Sequence, residues 1–183
     1  MSGYRGAGRL DKRGHVLALR EAGGVWTWEP VREIWAKAEY SQKLNLFSRS
    51  GVGARDVALV IWRQSLSLHH AIELEGTHLF LTSITERNRN QLDVHAAAVE
   101  LHTCTDKSAG TTFPAVLTEK YVRFDEPGPH ATNAINCVLV TPKEILLKPG
   151  KLVEIDGIPC PIRTAHLLDP FKHEYEIERR VDL

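Results

Sequence analysis

The sequence has few cysteines, and their placement does not suit a disulfide framework. There are three, Cys104, Cys137 and Cys160, at wide spacing. Small proteins that depend on disulfides usually carry an even number of cysteines at regular spacing. We therefore expect three reduced thiols in or near the core.

The sequence also lacks long apolar runs and an excess of charge. No apolar run approaches the roughly 18 residues of a membrane span, and residues 1–14 lack the apolar core of a secretory signal. Lysine plus arginine number 23, as do aspartate plus glutamate, so the formal net charge is zero. A neutral chain attracts neither nucleic acid nor anionic membranes strongly. We expect a protein that is made in the cytosol and does not bind membranes.

Motifs for metal binding, phosphate binding and nucleophilic catalysis are missing. The sequence contains no CxxC, HExxH, GK[ST] or GxSxG pattern. His102 and Cys104 form the only close pair of mixed metal ligands, and no nearby carboxylate could orient His102 as the base of a thiol nucleophile. We predict that the protein is not an enzyme and has no catalytic, metal or cofactor site.

What the sequence does contain is one set of landmarks that occurs twice in the same order. Segments 58–101 and 137–183 each open with an apolar strand that closes on a basic residue. Each then reaches an acidic residue followed by glycine, Glu75-Gly76 in the first and Asp156-Gly157 in the second. Such a pair between two alternating runs predicts a tight hairpin turn. The recurrence predicts an internal repeat.

The repeat predicts a mostly-β chain with two small β-barrel or sandwich-like lobes in tandem. We place the lobes at 15–103 and 113–183, with a small, polar, glycine-containing linker at 104–112. Residues 1–14, rich in glycine and arginine, are predicted to form a flexible basic arm. Lobes of this size bury only about 60% of their unfolded surface, so assembly into something larger would stabilise them.

The segment between the first hairpin and the first copy of the repeat contains a predicted contact loop. Residues 31–40 fit the spacing of both a helix and a strand, and the pattern alone does not decide between them. Residues 41–55 form a long polar loop that carries apolar side chains, which favours a contact surface. The predicted interface consists of three apolar anchors and two charged residues: Leu46, Phe47, Val52, Arg49 and Arg55.

An ordered set of motifs in the first lobe matches a known pattern. A tryptophan strand is followed by Ile34-Trp35-Ala36, a long loop, a strand that ends at Arg63, and the charged turn Arg87-Asn88-Arg89-Asn90. This order resembles the head closure, or head-tail joining, proteins of tailed bacteriophages, over about residues 10–103. The sequence departs from that family at His78-Leu79-Phe80, where the family has aromatic-x-Ile, and in having a second lobe.

The resemblance implies a structural protein of the virion neck. Members of the family are small β-barrels that form a ring beneath the portal and adaptor, so the implied partners are copies of this chain, the portal or adaptor, and the tail or tail terminator. DNA would pass through the lumen without sequence-specific binding. The protein would act in the virion, after assembly in the host cytoplasm. Six or twelve copies per ring are both compatible with the sequence.

Two other functions remain open at this point. One is a cytosolic barrel that binds single-stranded nucleic acid, for which Arg49, Arg55, Trp62 and Arg63 form the best cluster of basic and stacking side chains. The other is a tail terminator or tail completion protein, which would bind the tail rather than the portal.

Overall fold

Apolar and polar side chains alternate along most of the chain, and the chain folds accordingly into strands. The computed structural model describes residues 10–41, 51–52, 55–120 and 134–180. This described part contains thirteen strands and no helix. The strands are β1 (Lys12–Ala22), β2 (Val25–Ser41), β3 (Gly51–Val52), β4 (Arg55–Trp62), β5 (His70–Leu74), β6 (Thr77–Asn88), β7 (Gln91–Val99), β8 (His102–Asp106), β9 (Thr111–Lys120), β10 (Ala134–Pro142), β11 (Leu152–Ile155), β12 (Ile158–His166) and β13 (Lys172–Arg180).

The described residues divide into two compact units. The first unit contains residues 10–19, 28–41 and 55–99. The second contains residues 20–27, 51–52, 100–120 and 134–180. The unit boundary in the later part of the chain falls between Val99 and Glu100, close to the predicted end of the first lobe.

The strands of the first unit form a closed circuit. Their order is β1-β5-β6-β7-β4-β2, and β2 pairs back with β1. A sheet that closes on itself is a β-barrel. Its interior is filled by alternate residues of each strand, as in β4, where Val57, Leu59 and Ile61 are buried. The mostly-β, barrel-type prediction is therefore confirmed.

The second unit contains another closed circuit, in the order β8-β11-β12-β13-β10-β9, with β9 pairing back to β8. When the six strands of each circuit are numbered in chain order, both circuits read 1-4-5-6-3-2. Two further pieces pair with β9: Val25 in parallel with Thr112, and Val52 opposite Glu119. The internal repeat itself stays a prediction.

Both predicted hairpin turns are present. Glu75 and Gly76 connect β5 to β6 with φ angles of 51° and 77°. Asp156 and Gly157 connect β11 to β12 with φ angles of 50° and 85°. Two successive positive φ angles define the two-residue turn that matches the twist of an antiparallel pair, and glycine adopts them without strain.

The predicted linker at 104–112 is wrong, because these residues belong to the β8–β9 hairpin. Asp106 Oδ1 accepts hydrogen bonds from the backbone N–H groups of Ser108 (2.7 Å) and Ala109 (3.3 Å). An aspartate that binds the backbone two residues onward stabilises a turn. The small polar residues that suggested a linker are therefore the residues of a tight connection.

Two other expectations need correction or completion. The predicted arm, residues 1–14, is a strand at its end, since β1 begins at Lys12; residues 1–9 lie outside the described part. The ambiguous segment 31–40 lies within β2. Its end pairs with β4, from Ala36 opposite Ile61 to Ser41 opposite Asp56. Where a pattern fits both a helix and a strand, pairing with a strand that is distant in sequence can decide between them.

Candidate partner-binding surface

The residues predicted for the interface are not brought together in the described part of the structure. Leu46, Phe47 and Arg49 lie outside the described residues. Val52 belongs to β3 and pairs with Glu119, so the predicted loop is a short strand at this point. Arg55 is the exposed first residue of β4. The role of these five residues stays a prediction.

The first unit exposes two tryptophans on neighbouring strands. β2 and β4 are antiparallel, and Ala36 pairs with Ile61, both facing the core. Because side chains alternate across a strand, the next position places Trp35 opposite Trp62 on the outer face. Trp35 is 50% exposed and Trp62 is 53% exposed. Aromatic side chains that remain this exposed are typical of contact surfaces.

Two cationic groups near these tryptophans are paired with carboxylates. The Arg63 guanidinium lies 2.5 Å from a Glu86 carboxylate oxygen. Arg13 lies 2.5 Å from Glu33, and this hydrogen bond and charge hold the pKa of the Glu33 carboxyl below its usual value. Arg32 donates instead to the Ser65 backbone carbonyl, at 2.6 Å, and keeps its charge. The surface around the indoles therefore combines apolar rings with mostly paired charges, which suits a protein partner better than a phosphate backbone.

The structure does not assemble the proposed nucleic-acid cluster. Arg55 and Trp62 stand at the two ends of β4. The strand between them, seven residue-to-residue steps, is about 23 Å long. Arg63 is neutralised by Glu86, and Arg49 lies outside the described residues. In the described part, only Trp62 and Arg63 of this cluster are neighbours.

The second unit exposes leucines at one end of its barrel. Leu146 lies in the connection from β10 to β11, and Leu152 begins β11. Leu167 and Leu168 lie between β12 and β13, beside a surface depression of about 550 Å³. Leu168 is fully exposed, and the other three are 41–60% exposed. The end of β10 and the end of β12 both pair with the start of β13, and the Ile145 carbonyl contacts His173 there, so Leu146, Leu167 and Leu168 lie at one end of the circuit. Leu152 pairs with Pro161, five residues before the end of β12, and lies apart from them.

The loop that carries Leu167 and Leu168 is held by a lysine. Lys143 Nζ donates hydrogen bonds to the backbone carbonyls of Leu167 (2.9 Å) and Asp169 (2.6 Å). The Asp169 side chain accepts a hydrogen bond from the N–H of Phe171 at 2.8 Å. Lys143 is the basic residue that closes the strand in the second copy of the repeat, and Arg63 is its counterpart. Both side chains bind near the end of the fifth strand of their circuit. Lys143 binds the backbone that follows β12, and Arg63 binds Glu86 near the end of β6.

The connection that carries Leu146 is held from inside the barrel. The buried Tyr175 hydroxyl accepts a hydrogen bond from the N–H of Leu147 (3.0 Å) and donates one to the carbonyl of Ile145 (3.2 Å). Burial raises the pKa of Tyr175. Ile145 and Leu147 are themselves buried, so the side chain between them is directed outward from a fixed backbone.

His102 has the carboxylate neighbour that the sequence did not reveal. His102 Nδ1 lies 2.6 Å from Asp156 Oδ2, although 54 residues separate them. The expectation that nothing orients this histidine is therefore wrong, because the β11–β12 turn folds back onto the start of β8. Cys104 is nevertheless no activated nucleophile. Burial raises the pKa of its thiol to about 12, and its sulfur contacts the His102 carbonyl at 3.8 Å.

All three cysteines are free and buried, as expected from the sequence. No group of three or more histidine, cysteine or acidic side chains within the described ranges could hold a metal ion. The same residues include no helix with the length and hydropathy needed to cross a membrane.

Comparison with known proteins adds no relative. No protein-family model, no curated protein and no solved structure matches this chain. The class that the fold defines is an all-β protein built on closed six-stranded circuits.

Sequence reasoning missed the two exposed surfaces. Trp35 entered only as part of a motif, although its alternation with Ile34 and Ala36 could have placed it on the outer face. Leu167 and Leu168 directly precede the turn residues Asp169-Pro170. Two apolar residues beside a turn were the sequence signal that could have indicated an exposed apolar surface here.

Proposed function

We propose that this chain is a structural component of the neck of a tailed phage, a head closure or head-tail connector protein that assembles as a ring between the portal or adaptor and the tail. The observation that carries the proposal is the exposed pair Trp35 and Trp62 on a closed barrel. A rigid barrel that presents aromatic side chains outward is suited to permanent contacts with other protein subunits.

The motif resemblance of residues 10–103 supports the same function. Trp35 belongs to that motif, as does the strand that ends at Trp62 and is followed directly by Arg63. The zero formal net charge is compatible with a conduit, because a strongly basic wall would bind DNA through counterion release and slow its transit. The proposed protein acts in the virion without catalysis.

A tail terminator or tail completion protein is the second candidate. A protein of this class would also form a ring and use exposed apolar surfaces. It would bind the tail rather than the portal. Single-stranded nucleic-acid binding is less well supported, since Arg63 is paired with Glu86.

The test is immunolabelling of phage particles with an antibody against residues 134–180. Purified virions, tail-less capsids and free tails are imaged by negative-stain electron microscopy, with pre-immune serum as the control. We expect label at the neck of virions and at the portal vertex of capsids. Label on free tails alone would select the tail terminator. Absence of label from every particle would refute both, and salt-sensitive oligonucleotide binding would then be measured.

A further inference from the structure

We infer that the first unit binds a proline-containing, extended segment of a neighbouring protein. The site is a row of four side chains on the outer face of the barrel, Trp35, Trp62, Gln91 and Asn88, which we call the tryptophan row. The inference rests on the proposed function, in which the exposed tryptophans contact another protein, and it names the chemistry of the segment that they contact.

The register of four neighbouring strands sets the tryptophan row. Trp35 of β2 lies opposite Trp62 of β4, one position beyond the last listed pair of these two strands. Trp62 pairs with Gln91 of β7, and Gln91 pairs with Asn88 of β6. Residues directly opposite one another project from the same face of a sheet. Two indoles and two amides therefore lie side by side across β2, β4, β7 and β6.

The length of the tryptophan row fits a short polyproline II segment. Adjacent strands lie about 4.8 Å apart, so the three steps from β2 to β6 span about 14 Å. A polyproline II helix advances about 3.1 Å per residue, so about four or five residues cover that distance. Proline-rich segments in this conformation dock on surfaces lined by aromatic side chains. The two half-exposed indoles supply such a surface.

The tryptophan row presents hydrogen-bond donors, and a proline-containing segment offers acceptors. An indole N–H can only donate, and those of Trp35 and Trp62 have no partner among the described residues. Asn88 Nδ2 donates one N–H to Gln91 Oε1 at 3.0 Å and retains a second. Proline has no N–H, and the carbonyl groups of a polyproline II helix make no internal hydrogen bonds. Carbonyl oxygens of the segment can therefore accept from all three side chains.

The charges beside the tryptophan row favour an uncharged segment. Lys37 and Asp93 lie in the adjacent row of the same face. Lys37 Nζ lies 3.0 Å from a Glu39 carboxylate oxygen, and Asp93 lies 3.0 Å from the Arg87 guanidinium. Arg32 keeps its charge but projects from the other face of β2 by strand alternation. Paired charges attract neither a phosphate backbone nor a strongly acidic peptide.

The tryptophan row is ordered before binding. Trp35 and Trp62 stand on strands that pair with each other. The Asn88 side chain is held at both ends, because its Oδ1 also accepts the Asn90 N–H at 2.9 Å. Surfaces and segments that are ordered in advance lose less conformational entropy on association, and a polyproline II segment is ordered in this way.

The experiment titrates the full chain with a synthetic oligoproline peptide and follows tryptophan fluorescence and binding heat. A glycine-serine peptide of the same length is the control ligand. Trp35→Ala and Trp62→Ala each remove one indole, and Trp35→Phe and Trp62→Phe keep a ring but remove the N–H donor. Tyr40→Ser is the matched control variant, because Tyr40 is a similarly exposed aromatic at the other end of β2. Circular dichroism checks that each variant keeps its strands.

We expect wild type and Tyr40→Ser to bind oligoproline equally and to ignore the glycine-serine peptide. Each alanine variant should bind oligoproline about tenfold more weakly or worse, and each phenylalanine variant should lie between. Failure of wild type to bind oligoproline, equal binding of the control peptide, or unchanged binding by the alanine variants would each overturn the inference. Binding of oligothymidylate at these indoles in place of oligoproline would also overturn it, in favour of single-stranded nucleic acid.

Neck labelling of virions separates this inference from the proposed function. Label at the neck without oligoproline binding would refute the inference alone. Oligoproline binding without label on any particle would refute the neck function and leave the tryptophan row as a site for peptides.

Discussion

His102 and Asp156 make the same connection in the second unit that Lys12 and Glu75 make in the first. His102 Nδ1 lies 2.6 Å from Asp156 Oδ2, and Lys12 Nζ lies 2.5 Å from Glu75 Oε2. In both units the pair joins the start of the first strand to the turn of the two-residue hairpin. The two units therefore share this contact as well as a strand order.

Asp156→Asn should destabilise the protein by about 1 kcal/mol. Asparagine keeps the tolerance for positive φ but loses the charged acceptor of His102 and of the Thr103 N–H, which lies 3.1 Å from Oδ1. Urea unfolding measures the change. Glu75→Gln is the control, and because its contact with Lys12 is more exposed to solvent, its effect on stability should be smaller. Equal effects of the two substitutions would show that Asp156 has no special role.

His78 should make stability depend on pH. Burial lowers the pKa of its imidazole from 6.5 to about 4, and Nε2 has no hydrogen-bond partner among the described residues. Between pH 6.5 and 4 the unfolded chain thus binds more protons than the folded protein, so stability falls as pH falls through this window. The full difference is about 3 kcal/mol.

His78→Phe isolates this contribution, because phenylalanine keeps a ring against Trp28, whose centroid lies 5.4 Å from that of His78. The unfolding free energies of wild type and variant are measured in urea from pH 7.5 to 4. The variant should gain stability relative to wild type as the pH decreases. A constant difference across the range would mean that the pKa of His78 is the same in the folded and the unfolded protein.

Gly14→Ala should cost about 2 kcal/mol or more. A β-carbon on Gly14 would lie 2.4 Å from the Glu73 carbonyl oxygen and 2.9 Å from a Leu74 methyl carbon, so β1 and β5 would have to separate. In Gly23→Ala the new carbon meets nothing within 4 Å, and only the positive φ costs about 1 kcal/mol. Thermal unfolding should rank the two in this order, and the reverse ranking would contradict the close approach.

Tyr175→Phe should destabilise the second unit by about 2 kcal/mol. The substitution leaves the buried Leu147 N–H without its acceptor. Hydrogen exchange at the Leu147 amide should accelerate more than at amides in β10. Thr141→Val is the milder comparison, since the Ile145 carbonyl that Thr141 binds keeps its contacts with Tyr175 and His173. Unchanged exchange at Leu147 would show that the hydroxyl does not hold this connection.

The hairpins were predictable because their information is local. Glu75-Gly76 and Asp156-Gly157 specify their turns within two residues, and alternation specifies the strands around them. The buried cysteines followed from their number and spacing. These signals do not depend on which strands become neighbours.

The surfaces were not predictable because they depend on distant pairing. Trp35 faces Trp62 only through the β2–β4 register, and Asp156 reaches His102 only when the circuit of the second unit closes. The wrong prediction of a linker at 104–112 has the same origin. The residues after Cys104 form a hairpin turn only when β8 pairs with β9. Short strands such as β3 depend on a partner that the sequence does not indicate.

The closed strand circuits have a consequence for how copies can meet. Every strand of each circuit has a neighbour on both sides, so the stretches that are paired on both sides offer no open edge for another chain to extend. Association by strand addition, the usual route to β-aggregates, is thereby blocked along these stretches. Contacts between copies at these stretches must be made by side chains, and a few surface substitutions can then abolish such contacts while the circuits stay folded.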